Sequence, residues 1–194
     1  MGAENYYRGL TRQNHERVAV APPKPLGKDR PWVYNAVMKT QRVYIDTSVL
    51  GGCFDPEFAR WSNALLADFR SGRLKPVISE IITAEIADAP PAVRAVLADL
   101  LNFTPETLSI TLEVLALADA YQAHGVLTPK FYADGLHIAL ASVAEVDILV
   151  SWNFRHIVRY DKIRLFTAVN LERGYKPLAI YSPREVANDE EDNH

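Results

Sequence analysis

Val43-Tyr44-Ile45-Asp46-Thr47-Ser48 is the stretch on which the fold turns. Three strand-favouring residues run into a carboxylate with no polar position between them, as in a strand buried on both faces. Asp46 then stands at the carboxyl end of that strand, where open α/β sheets place their ligand sites. A second run, Asp147-Ile148-Leu149-Val150-Ser151-Trp152-Asn153, repeats the design and also ends on a polar residue.

Outward from these two runs the pattern alternates. After a strand at 42–46 comes a loop rich in Gly51, Gly52 and Pro56, then a helix over 57–71 stopped by Gly72. Lys75 to Ser79 reads as a strand, and Ser79 can cap a helix over 80–88 that Pro90 and Pro91 close. A short helix over 92–101 precedes a strand within 103–110, whose limits Pro105 blurs. Thr111 can cap a helix to His124, with Gly125 as its stop, and Pro129 opens a helix to Glu145. A strand at 147–151, a helix over 161–173 and a strand at 177–181 complete the series. Strands alternating with helices imply right-handed crossovers: an α/β fold, a three-layer sandwich with a mostly parallel sheet.

The chain has 194 residues, 48% hydrophobic and 23% charged, ordinary for a globular protein with a real core. Its single cysteine, Cys53, excludes an intrachain disulfide and reads as a small buried hydrophobe, consistent with a reducing, cytoplasmic setting. No apolar run approaches the roughly 20 residues of a membrane span, and the N-terminus lacks an apolar signal core. The net charge of −3 is uneven: residues 1–40 carry seven Lys/Arg against three acids, whereas 189–192 are all acidic. Residues 1–40, with Pro22, Pro23, Pro25 and Pro31, read as an extended or disordered basic arm, 41–186 as the folded domain, and 187–194 as an acidic disordered tail. One expectation is that Met38, just before the first strand, is the true start and the arm an upstream translation artefact; a peptide from residues 1–37 in native material would exclude this.

Four positions carry the chemistry, and each has a plain structural alternative. Asp46 alone can be a helix cap or turn residue, but at the end of a buried strand it needs a hydrogen bond, an ion partner or a cation. Thr47 and Ser48 offer hydroxyls to hold it or a metal-bound water. Glu85, one turn after Ile81 and beside Ile82 and Ile86, shares a partly apolar helix face, whereas Glu80 is explained by the helix dipole. Asp134, His137, Ile138 and Ala141 fall at i, i+3, i+4 and i+7, so Asp134 either faces inward or caps the helix. With no second histidine at ligand spacing, His137 reads as an internal packing or hydrogen-bonding residue. Asn153 holds the topological place of Asp46 on the other strand and can bind a water or weakly ligate through its amide oxygen. Arg155 and His156 read as exposed phosphate contacts. Such an oxygen-rich, cysteine-free set selects Mg²⁺ or Mn²⁺ and suits phosphodiester hydrolysis. Aspartyl-phosphate chemistry at Asp46 lacks support, because Ser48 stands where a second Asp is wanted.

In their order, Val43–Leu50, Ser79–Ile86, Asp134–Ala141 and Ile148–Phe154 resemble the PIN-domain family, in particular the ribonuclease toxins of VapBC-type toxin–antitoxin pairs. The resemblance covers about residues 42–182. It implies a three-layer α/β/α fold, endoribonuclease activity with Mg²⁺ or Mn²⁺ on Asp46, Glu85 and Asp134, homodimers, and inhibition by a small antitoxin. Asn153 departs from it, standing where many relatives have a fourth acid; the alternative is a catalytically weak or inactive scaffold that binds RNA or a protein partner.

Overall fold

The apolar run before Asp46 forms strand β1 (Gln41–Ile45), whose last three residues are buried. In this computed structural model, which describes residues 39–188, β1 is the central strand of a five-stranded sheet. The strands are β2 (Leu74–Ser79), β3 (Glu106–Leu108), β4 (Ile148–Val150) and β5 (Ala179–Tyr181). Their order is β3-β2-β1-β4-β5, and every pair is parallel, so the sheet is wholly rather than mostly parallel. The chain moves outward from β1 to β3 on one side, then returns to place β4 on the other. The crevice between the carboxyl ends of β1 and β4 is therefore the topological switch point, where such sheets bind ligands.

Alternate strand residues feed two cores, one on each face. Tyr44, Val77, Leu149 and Ile180 pack with Leu117, Ile138 and Phe166 from α5 (Leu112–Ala123), α6 (Tyr132–Val143) and α7 (Tyr160–Glu172). Val43, Ile45, Ile78 and Val150 pack on the opposite face with residues from four helices: α1 (Thr47–Gly52), α2 (Ala59–Arg70), α3 (Glu80–Ile86) and α4 (Pro91–Leu101). That is a three-layer α/β/α sandwich. Each large side chain buried fully in either core contributes about 1.5–3 kcal/mol.

Local departures from the sequence pattern have physical causes. The Gly51-Gly52 segment, expected as loop, is the end of α1, a helix started by the Asp46 side chain accepting from Ser48 N. Ser79 occupies the cap position of α3 without a side-chain cap bond, because its hydroxyl pairs with Tyr44 Oη at 2.8 Å. The third strand shrinks to three residues: Thr104 sits at φ 47°, a left-handed turn that delays extended geometry until Glu106. Pro129 opens a 3-10 turn (Pro129–Phe131) before α6 rather than α6 itself. A final turn, α8 (Pro183–Val186), is nucleated by a Ser182–Glu185 capping box.

Pro76 lies where β2 has β1 as neighbour but not yet β3, whose pairing begins at Val77. Among the described residues no helix is long and apolar enough to cross a membrane. The expected basic arm and acidic tail fall outside the described residues, apart from positions 39, 40, 187 and 188.

Candidate metal centre

Asp46 is only 5% exposed, and its carboxylate is held by two serines. Ser48 donates to Oδ1 through both its backbone N–H and its hydroxyl, and Ser151 donates its hydroxyl to Oδ2 at 2.7 Å. Each hydroxyl in turn accepts a backbone N–H of the segment after β4: Trp152 N to Ser48 Oγ at 2.8 Å, Asn153 N to Ser151 Oγ at 2.8 Å. The two serines thus clamp the acid and fix the loop at the switch point together. Among the described residues Asp46 has no ion pair. Burial dominates and pushes its carboxyl above the ordinary range, opposed by the field of His137 and by the serine hydroxyls.

Glu85 approaches from α3 and is more exposed. Thr47 donates its hydroxyl to Glu85 Oε2, and His137 Nε2 lies 3.6 Å from the same oxygen, an ion-pair distance rather than a hydrogen bond. The His137 imidazole first, then the Thr47 hydroxyl, hold the Glu85 carboxyl below its usual range despite partial burial. Behind Glu85 runs a buried chain: His137 Nδ1 meets Tyr44 Oη at 2.6 Å, and Tyr44 Oη meets Ser79 Oγ at 2.8 Å. Burial raises the Tyr44 hydroxyl far above its ordinary value, so it stays protonated. His137 therefore packs and hydrogen-bonds internally, and it also steadies Glu85.

Asp134 sits in the first turn of α6, half-buried. Asn153 Nδ2 donates to Asp134 Oδ1 at 3.0 Å, while Asn153 Oδ1 accepts from His156 N at 3.0 Å. Burial raises the Asp134 carboxyl; His156 and His137 oppose this, and the like charges of Asp46 and Glu85 add to it. The three acids are thus near enough for their charges to act on one another. The donors match a hard divalent cation in kind, being oxygens of like charge with no thiolate. Their convergence is incomplete: among the described residues no group of three His, Cys, Asp or Glu side chains stands together as a metal-holding cluster.

Of the sequence candidates, Asp46, Thr47, Ser48, Glu85, Asp134 and Asn153 all gather at the carboxyl edge of β1 and β4. Ser48 holds Asp46, whereas Thr47 serves Glu85 instead. His156, expected to be exposed, is half-buried and stacked on Phe131 with ring centroids 3.7 Å apart. Glu80 does structural work, accepting from Ile110 N–H at 2.5 Å and so tying α3 to the segment after β3. Sequence reasoning missed Ser151 and Tyr44 as site residues. Ser151's place immediately after Val150 was the available signal; nothing local marks Tyr44. Cys53 is buried, and burial pushes its thiol up to about 11, so it remains protonated.

No family model matches the sequence, and no curated protein matches it. Among solved structures the chain is similar to VapBC2 from Rickettsia felis, in a crystal structure bound to a DNA fragment from their promoter. The sequence identity is 13% and the TM-score 0.47, with 73% of this chain and 98% of that chain covered.

Proposed function

We propose that the chain is a metal-dependent endoribonuclease that hydrolyses RNA phosphodiester bonds, and the toxin half of a type II toxin–antitoxin pair. The observation that carries the reading is Asp46: a carboxylate 5% exposed at the switch point, held by two serines, with two further acids within electrostatic reach. A carboxylate there is costly to ionise, and a cation offsets that cost. Asp46, Glu85 and Asp134 would hold Mg²⁺ or Mn²⁺, which when bound supplies Lewis acidity toward a phosphate and a water.

The chain's own groups supply the rest. Glu85 is kept ionised by His137 and Thr47, so it can orient a water and accept its proton. His137 is fixed by Tyr44, so the imidazole cannot swing away from Glu85. Asn153 holds Asp134 by a neutral donor and leaves the remaining carboxylate lone pairs for a ligand. A small antitoxin and a second copy of the chain are the partners that the motif order supports; both belong to this proposal.

The test is an RNA cleavage assay with Mg²⁺, Mn²⁺ and chelator, on wild type and Asp46→Asn. Cleavage that needs metal and falls at least about 10²-fold in the variant is expected; equal residual cleavage in both overturns the assignment. The incomplete convergence of the acids, together with the amide at Asn153, favours a second reading: a PIN-like scaffold that binds RNA or a protein partner without cutting.

A further inference from the structure

Beside the acids lies a cavity of about 200 Å³ with chemistry of the opposite sign. It is bounded by the segment after α5, by Phe131, by the segment after β4 and by the first turn of α7. Arg155, His156, Arg159 and Lys162 all line it. Arg155 and Arg159 are exposed; Arg159 pairs with Asp161 at 2.7 Å, and Lys162 Nζ donates to the Val126 carbonyl. Arg155 also lies over the Phe131 ring, 5.8 Å from its centroid, against the ring that stacks on His156. Asp161 is thus the acid paired within this group, set against three permanent cations.

His156 supplies an independent observation. Its Nε2 is buried and has no hydrogen-bond partner among the described residues. A buried nitrogen left without a partner costs about 1–3 kcal/mol and calls for an explanation. As an N–H it is a donor without an acceptor, in a cavity whose charged lining side chains, Arg155, Arg159 and Lys162, are all cations. The group that satisfies it is an acceptor, and the surrounding charge requires that acceptor to be an anion. Asn153 links the cavity's edge to the acids: its amide nitrogen donates to Asp134, and its amide oxygen accepts from the backbone N–H of His156.

We infer that this cavity is a phosphate-binding subsite for a backbone phosphate of an RNA strand, with Arg155, Arg159 and Lys162 supplying charge and His156 Nε2–H the oriented donor. The inference deepens the nuclease reading and rests on it for the identity of the strand.

Binding of a fluorescein-labelled 12-nucleotide single-stranded RNA, followed by anisotropy in EDTA, tests it without any cleavage. The double variant Arg155→Ser/Arg159→Ser should weaken binding at least about fivefold and lower the salt slope by about 0.7 for each phosphate no longer neutralised. His156→Leu should weaken it too, and His156→Gln, which keeps an N–H donor, should recover part of the affinity. Wild-type affinity and slope in the folded arginine variant overturn the subsite. So does a response to inorganic phosphate at millimolar concentration with RNA binding unaffected, which would make it a site for the free anion only. If wild type binds through these residues but does not cut RNA with metal, the nuclease reading fails and the subsite stands. If wild type cuts and the arginine variant binds and cuts equally well, the subsite alone falls.

Discussion

The Ser151 hydroxyl donates to Asp46 Oδ2 at 2.7 Å and joins the end of β4 to the end of β1 across 105 residues of chain. Removing it leaves a buried carboxylate oxygen and the Asn153 N–H without that partner. Ser151→Ala should therefore destabilise the fold by about 1–3 kcal/mol in urea unfolding at neutral pH. An unchanged midpoint would mean that water replaces the hydroxyl at no cost.

Asp46 and Glu85 should answer pH with opposite signs. The Asp46 carboxyl is raised in the folded state, so its contribution is full below the ordinary value of 3.8 and is lost as pH rises through the folded value. Asp46→Asn removes the buried charge and should melt a few degrees higher than wild type at pH 7 in chelator, the gap closing toward pH 4. Glu85 is lowered, so its contribution is present above the ordinary value of 4.5 and is lost as pH falls through the folded value. Glu85→Gln should melt below wild type at pH 7, with the gap closing under acid. Thermal melts from pH 4 to 8 decide it; two gaps of the same sign would contradict the assignment.

Asn153→Asp replaces a donor 3.0 Å from Asp134 with a like charge. The metal-free protein should lose stability by about 1–3 kcal/mol, and added Mn²⁺ should raise the melting temperature more than in wild type. A large gain in RNA cleavage would place the natural chain among weakened enzymes. A neutral effect would show that three acids and an amide suffice.

Gly52 is held to its identity by space rather than by backbone angle. A Cβ there would lie 2.7 Å from both Ser62 Oγ and Trp152 Nε1, which are bonded to each other at 2.8 Å. Gly52→Ala should cost about 1–3 kcal/mol and shift tryptophan fluorescence as Trp152 moves. An unshifted spectrum at full stability would show that the packing yields freely.

The layers were legible because buried parallel strands are near-continuous apolar runs and because Gly72, Gly125 and Gly174, all at positive φ, stop helices where their sequence suggests. α1 was not, since two glycines read as loop until the cap at Asp46 and the close approach of Trp152 are known. The acids could be picked out individually by strand ends and helix faces. Their connections could not: Ser79 bonds Tyr44 rather than capping α3, and Thr47 serves Glu85, choices made only when three elements meet. The cationic cavity was half visible through Arg155 and His156. Arg159 and Lys162 join it only because α7 starts beside the segment after β4.

The clamp on Asp46 also sets an order of assembly. A growing chain that has emerged only as far as α6 carries Asp46, Glu85 and Asp134, yet has neither β4 nor Ser151 to close the crevice. Pairings this distant in sequence form late, because the intervening loop must be closed first. No incomplete translation product ending before residue 151 can hold the finished centre. Until residue 151 has been added, Asp46 lacks the hydroxyl that joins it to the end of β4, so the centre is completed late in the making of the chain.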